Sequence, residues 1–380
     1  MGTLRVGVVG VGHLGRHHAR ILAGIDGVTL VGVADARIEQ ARAVAESCGT
    51  TAYADYRDLL DRVDAVSVAV PTVLHREVAG AFLARGVPAM VEKPLATTPA
   101  EAEELVDLAR SRGVVLQVGH IERFNPALAA LDGMRLRPKY IAAERLGLYT
   151  FRSTDIGVVL DLMIHDLDLV LSLIPAPVRS VAAVGVSVFG RHEDIANARV
   201  EFEDGCVANL TASRASFQAV RKMRLYGAEG YATLDFAAKQ GTLIRPSEAL
   251  RRGELELDGV DLAQPAQVRD RLFGKILRVD QVPAPAESRE PLALELEDFV
   301  RSVRTGARPR VTGDDALRAI RLAGQILDAI AAHQWEGRPD GPVGPLPFPE
   351  SAAGPGPIVG LPAPKSWRYK PTPAEKTPQP

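Results

Sequence analysis

Residues 4–15, LRVGVVGVGHLG, run from a β-branched stretch into Gly10, Gly12 and Gly15 in G-x-G-x-x-G spacing. The apolar stretch predicts a buried strand, and the pattern over about 13–24 predicts a helix. In that setting the first glycine permits a tight turn. The second lets the backbone approach a pyrophosphate, and the third lets helix and strand pack closely. The helix N-terminus then faces the phosphates. Gly10, Gly12 and Gly15, with His13 and Leu14 between them, are therefore expected to hold a dinucleotide. Asp35 ends the next apolar run, VTLVGVAD, where an acid accepts hydrogen bonds from the adenosine ribose. Asp35 favours NAD, because it repels a 2′-phosphate; Arg37 would offset that repulsion, so NADP stays open. His17 and His18 are expected as exposed polar residues of the helix.

Outward from this stretch the pattern repeats. Strand-like runs at 65–70, 88–93 and 114–120 alternate with helical runs at 36–47, 75–86 and 99–113. That alternation predicts βαβ units and a parallel sheet covered on both faces. After about residue 138 it gives way to one long helix, 155–174, then to strand-like runs between 178 and 246. Turn signals at EDG and GAEG predict an open, mostly antiparallel sheet there. Two helices, 290–304 and 313–333, follow. The fold class is α/β: an N-terminal Rossmann parallel sheet over 1–125, then a C-terminal α+β domain with an open sheet over 126–335. Pro339 to Pro380 holds 13 of the chain's 27 prolines. Such a composition builds no packed core, so 336–380 is expected to be a disordered tail.

Lys+Arg is 45 and Asp+Glu 47, a net charge of −2, which offers no footprint for nucleic acid or an anionic membrane. The opening MGTLRVGVVG carries no signal-peptide pattern. Cys48 and Cys206 lie far apart without metal-ligand spacing, so a reduced cytoplasmic compartment and no metal are expected. The longest apolar run, 156–174, is interrupted by Asp161, His165, Asp166 and Asp168, which argues against a membrane span.

Those four residues pose a problem, because unpaired buried charge is costly. At helical spacing Asp161, His165 and Asp168 share one narrow face and Asp166 falls away from it. Met163, Ile164, Leu167 and Val170 form an apolar back. An Asp four residues before a His can orient the imidazole as an acid/base pair requires. By spacing alone the stripe is equally a solvated surface. Lys93, in VEKPLA, closes the fourth strand at the sheet edge where ligands bind. It either polarises a substrate oxygen or is a solvated lysine before a turn.

Taken together, the glycine motif with Asp35, the EKP at 92–94 and Asp161-x-x-x-His165 resemble the Gfo/Idh/MocA oxidoreductase family over about residues 3–335. The resemblance implies NAD(P)-dependent oxidation or reduction of a sugar or polyol carbon, and an open sheet that forms homodimers or homotetramers. By position, Lys93, Asp161 and His165 match the family's catalytic residues. His165 would take the hydroxyl proton, Lys93 would stabilise the alkoxide, and Asp161 would orient His165 or touch the substrate. PTVLH, 71–75, matches the family's cofactor-side loop and so places Thr72 and His75 at the nicotinamide ribose. Glu92 and Lys93 would stand beside the cofactor, and Glu92 and Pro94 look like positioning residues.

GHIERFNPA, 119–127, resembles the branch that oxidises C3 of UDP-N-acetylglucosamine to a ketone, which a pyridoxal-phosphate aminotransferase then aminates. His120, Glu122, Arg123 and Asn125 would then meet the sugar or the diphosphate, alongside Lys93, Asp161 and His165. The bidentate fork of Arg123 suits a diphosphate. The bland reading is that Asn125-Pro126 caps the next helix. Tyr149 and Arg152 stand in the linker, in expected reach of a nucleotide. Two departures stand out: Gly157-Val158-Val159-Leu160 is bulkier than the family's glycines before the Asp-His helix, and the proline-rich tail is no part of the pattern. Rival readings are a free-sugar or inositol dehydrogenase, which needs no diphosphate site, and a non-catalytic NAD-sensing regulator. A complete Lys93, Asp161 and His165 set argues against the last.

Overall fold

The computed structural model describes residues 2–132, 136–149, 156–189, 192–254, 276–283 and 289–336, with 263, 264, 266 and 269 between. The proline-rich tail and Arg152 lie outside the described residues.

Six parallel strands form the first sheet: β1 (Leu4–Val9), β2 (Val28–Ala34), β3 (Thr51–Tyr53), β4 (Ala65–Val68), β5 (Ala89–Glu92) and β6 (Leu116–Gly119). Their order is β3-β2-β1-β4-β5-β6, that of a Rossmann sheet. The crossovers carry α1 (Gly15–Ala23), α2 (Ile38–Cys48), α3 (His75–Ala84) and α4 (Pro99–Arg112). Helix α4 starts at a Thr98 cap followed by Pro99 and stops at left-handed Gly113. The five strands other than β3 are largely buried on both faces, as expected for continuous Val-rich runs. Edge strand β3 was not anticipated: three residues are too few to show a period.

Eight strands form the second sheet: β7 (Pro138–Leu146), β8 (Val178–Val186), β9 (Ile195–Phe202), β10 (Val207–Ser213), β11 (Val220–Gly227), β12 (Gly230–Asp235), β13 (Gln240–Pro246) and β14 (Leu277–Val282). Their order is β14-β13-β12-β11-β7-β10-β9-β8, antiparallel except where β7 pairs with β10. The central strand β7 escapes a sequence reading. PKYIAAERL mixes weak strand formers with charge, yet Ile141, Ala143 and Arg145 alternate inward. Strand β14 was missed as well.

The expected long helix is two pieces. Val159–Met163 is a π-helical turn, and α5 (Ile164–Leu173) is α-helical. Short helix α6 (Glu248–Arg252) precedes α7 (Pro291–Thr305) and α8 (Gly313–Ala332). Helices α5 and α8 pack on each other and cover the second sheet, α5 against β7 and α8 against β8. Helix α7 corrects the division at residue 125. Its Leu292, Leu296, Phe299 and Val300 share an apolar cluster with Val6, Val8, Leu22 and Met90 of the first sheet. The first core is therefore closed by a helix from beyond the second sheet. Periodicity shows that α7 has an apolar face, not which sheet the face covers.

Candidate active site

The glycine loop joins β1 to α1. Gly10 has φ +82°, and a Cβ there would sit 2.7 Å from the backbone of Ala69. A Cβ at Gly15 would meet the Gly10 carbonyl at 1.7 Å. These two glycines are required by the chain's own packing. Gly12 differs: a Cβ there meets nothing nearer than Gln40 Nε2 at 3.9 Å, although Gly12 lines the cleft. The room beside it suits a close-lying pyrophosphate. No side chain caps α1, and its first turn carries no acid, so the dipole faces the cleft unopposed. His13 and Leu14 line the same wall.

Asp35 braces this loop. One carboxylate oxygen accepts from the Val11 amide at 3.0 Å and the other from the Arg37 amide at 2.9 Å. A carboxylate has further lone pairs, so a ribose hydroxyl can still be accommodated. The exposed Arg37 guanidinium lies 3.8 Å away. Gln40, which nothing in the motif pointed to, donates to the Val11 carbonyl at 2.6 Å and fixes the loop from α2.

Three histidine and threonine expectations need correction. His18 is buried, not exposed. Its Nδ1 lies 2.8 Å from Ser67 Oγ and its Nε2 3.0 Å from Glu92 Oε1. The signal was present, since position 18 shares a helix side with Leu22. His75 is also buried, with Nδ1 at 2.9 Å from the Pro94 carbonyl and Nε2 at 3.0 Å from that of Val70. It ties α3 to the turn after β5 rather than reaching a ribose. Thr72 is not in the cleft wall either; Pro71 and Leu74 take that place.

At the end of β5, Glu92 lines the cleft and Lys93 follows it. Burial alone would raise the Glu92 carboxyl, but His18 and Lys93 outweigh it and hold it below the usual range. Lys93 Nζ donates to the Asp161 carbonyl at 2.7 Å and to Asp161 Oδ1 at 3.1 Å. This corrects one expectation: Asp161 is paired with Lys93 rather than with His165. The reason is the π-helical turn, which departs from 100° per residue across Asp161. His165 lines the cleft beside them, and its Nδ1 is buried without a partner among the described residues. Burial drives its pKa well below 6.5, and the cations of Lys93 and Arg145 push the same way. The imidazole is therefore neutral and able to accept a proton.

Asp168 and Asp166 do not face the cleft. Arg123 grips Asp168 with two bonds, at 2.5 and 2.9 Å. Arg145 of β7 grips Asp166 at 2.9 and 2.8 Å and reaches Glu122 Oε1 at 2.7 Å. The acids on this apolar helix are thus neutralised by arginines from elsewhere, as burial demands.

The 119–127 stretch is correspondingly structural. The Arg123 fork is occupied and absent from the cleft wall. Asn125 caps the following turn, accepting from the Ala127 amide at 3.0 Å and donating to Glu122 at 2.8 Å and to the Phe236 carbonyl at 3.0 Å. His120 is buried edge-on to His165, ring centroids 6.3 Å apart. The bland reading, in which Asn125-Pro126 caps the following turn, is the one the geometry bears out. Arg145, Arg214 and Arg221 line the cleft instead. No motif marks them, and Arg145 lies on β7, a strand the sequence does not announce.

Glycine loop, Asp35, Lys93, Asp161 and His165 all line one cleft of about 1170 Å³. It brings a dinucleotide cradle against a lysine and a neutral histidine, an arrangement suited to moving a proton beside a nicotinamide. No helix among the described residues is long and apolar enough to cross a membrane.

Comparison with known proteins agrees. Residues 4–120 match the model of the oxidoreductase family with NAD-binding Rossmann fold, GFO_IDH_MocA. Residues 139–233 match the GFO/IDH/MocA C-terminal domain. The chain is 37% identical, over 87% of its length and 98% of the relative's, to UDP-N-acetylglucosamine 3-dehydrogenase from Acidithiobacillus ferrooxidans. The solved structure of that enzyme, GnnA, superposes with a TM-score of 0.76 at 35% identity, covering 87% of this chain and 98% of that one. It is also 27% identical to scyllo-inositol 2-dehydrogenase (NAD(+)) from Bacillus subtilis, over 82% of the chain and 90% of the relative. With its nucleotide loop, its lysine and its histidine gathered at one cleft, this chain belongs to the Gfo/Idh/MocA family of NAD-binding oxidoreductases.

Proposed function

We propose that the protein oxidises the C3 hydroxyl of UDP-N-acetylglucosamine to a ketone, with NAD as acceptor. The observation that carries the reading is the match to the Acidithiobacillus enzyme along nearly its whole length, joined to a cleft whose wall holds Lys93, Asp161 and His165 together. The glycine loop, Asp35 and the uncapped α1 terminus would hold the dinucleotide, whose nicotinamide takes hydride from the sugar carbon when bound. His165 accepts the hydroxyl proton. Lys93, anchored on Asp161, lies beside the developing alkoxide and stabilises it electrostatically. Asp161 fixes the ammonium in place rather than steering the imidazole. Ser67 fixes His18, which pairs with Glu92, whose side chain accepts from the Lys93 amide at 3.2 Å and so sets the chain direction at the lysine.

NAD is favoured over NADP because the Asp35 carboxylate, free to accept from a ribose hydroxyl, would repel a 2′-phosphate; the exposed Arg37 guanidinium, 3.8 Å from it, works against that repulsion. The protein is read as a cytoplasmic homo-oligomer whose ketone product an aminotransferase consumes. The test is a nicotinamide-absorbance assay with NAD or NADP and UDP-N-acetylglucosamine, free N-acetylglucosamine or myo-inositol. An aminotransferase and amino donor are added to draw off the ketone. Turnover with the UDP-sugar and NAD, and a C3 ketone by product analysis, is the expected result. Turnover with free polyols alone would reject it, and light scattering checks the oligomer.

A further inference from the structure

Arg123 and its neighbours do not present an anion site, so a phosphorylated substrate must be recognised elsewhere. The arginines in the cleft wall are Arg37, Arg57, Arg145, Arg214 and Arg221. Arg37 and Arg57 stand at the nucleotide end, beside Asp35 and beside Asp55 and Glu77. Arg145 is consumed by Glu122 and Asp166, and Arg214 by Asp194 at 2.6 Å and the Ile156 carbonyl at 2.9 Å. Arg221 is exposed, and its side chain has no ion pair or hydrogen bond among the described residues.

Its placement leaves the guanidinium open to a ligand. Arg221 of β11 is the antiparallel partner of Arg145 on β7, so the two guanidinium groups project on the same face of the sheet. Two carboxylates neutralise Arg145; Arg221 makes no ion pair among the described residues, and only the through-space attraction of Asp166 reaches it. Arg221 also lies close enough to His165 for its charge to act on the imidazole.

We propose that the Arg221 guanidinium binds the diphosphate of a nucleotide-sugar substrate and so holds the sugar with its reacting hydroxyl at His165. The proposal rests on the nucleotide-sugar reading above. Its chemistry is that of a planar fork against phosphate oxygens, which a lysine reproduces in charge but not in geometry. In the substrate the span is short, since C2, C1 and the glycosidic oxygen are all that separate C3 from the β-phosphate. The positive charge also lies on the substrate sheet, apart from the glycine loop that serves the cofactor.

Arg221→Ala and Arg221→Lys test this, with UDP itself as the binding probe for NADH-saturated protein. The expected result for Arg221→Ala is a KM for UDP-N-acetylglucosamine raised at least tenfold and UDP affinity weakened by a like factor. The KM for NAD and the folded circular dichroism spectrum stay unchanged. Arg221→Lys recovers part of the loss. An unchanged KM and UDP affinity, in a wild type that does turn over the UDP-sugar, overturns the proposal alone. So does a rise confined to the KM for NAD, which would place Arg221 at the cofactor. A wild type that binds no UDP and turns over only free polyols overturns the nucleotide-sugar reading, and the proposal with it.

Discussion

The two ends of the cleft are built from different materials. At the nucleotide end the contacts are backbone: Gly10 turns, Gly15 admits the helix, Gly12 leaves room, and Asp35 and Gln40 hold main-chain atoms in place. At the substrate end the charged side chains are mostly held by opposite charges, as in Lys93–Asp161 and Arg145–Asp166–Glu122. A site made of backbone tolerates no change of spacing along the chain, and its residues are neighbours in sequence. A site made of ion pairs draws on β5, β7 and α5, far apart in sequence, and tolerates change only pair by pair.

The contrast can be broken hardest at the reacting groups. His165→Asn removes the proton acceptor, so kcat is expected to fall by roughly 10²–10⁴-fold, the usual worth of a positioned general base. NADH binding, followed by fluorescence, persists because the backbone end is untouched. Turnover near wild type would remove His165 from the chemistry. Because its pKa is lowered, His165 stays neutral as pH falls, so the acid limb of kcat/KM should lie below pH 6.5.

Arg145→Leu comes next. It leaves Glu122 and Asp166 buried without their cation, and breaking such a pair costs about 3–5 kcal/mol. The exposed Arg42–Glu39 pair is the control; its loss costs ~0.5 kcal/mol. Urea unfolding of both variants measures the difference, and equal costs would refute the view that buried pairing sustains the substrate end.

The glycines separate within one loop. Gly15→Ala must displace the Gly10 carbonyl and should destabilise the fold by about 1–3 kcal/mol. Gly12→Ala has space and should fold normally while weakening NAD binding roughly tenfold, or 1.4 kcal/mol. A Gly12→Ala protein with unaltered NAD affinity would show that no pyrophosphate lies against that residue.

The smallest effect concerns Glu295 of α7, which is fully buried with neither carboxyl oxygen partnered among the described residues. Burial, reinforced by Glu92 and Asp168, raises its pKa well above 4.5. Above that pH the unfolded chain releases the proton while the folded one keeps it, so this group's contribution to stability falls as pH rises. Glu295→Gln removes the loss. Its Tm advantage over wild type should be larger at pH 8 than at pH 5; an advantage independent of pH would mean that Glu295 is ionised in the fold.

Much of this was legible in the chain. Repeated apolar runs separated by helical periods specify a parallel sheet, and Gly10, Gly12, Gly15 and Asp35 specify the nucleotide end, because local conformation and close packing act on residues near in sequence. Lys93 and His165 were also identifiable, as polar groups set where a strand ends and where an apolar helix should have none. Folding alone assigned the partners. Spacing put Asp161 with His165, but a π-helical turn delivers it to Lys93. Arg123 had the right chemistry for a diphosphate, yet Asp168 needed that charge more urgently once buried. Strand β7 was invisible because its central place rests on pairing with β10 and β11, not on its own propensity. Charge pairs follow three-dimensional proximity and the cost of burial, and neither quantity is written in the order of residues.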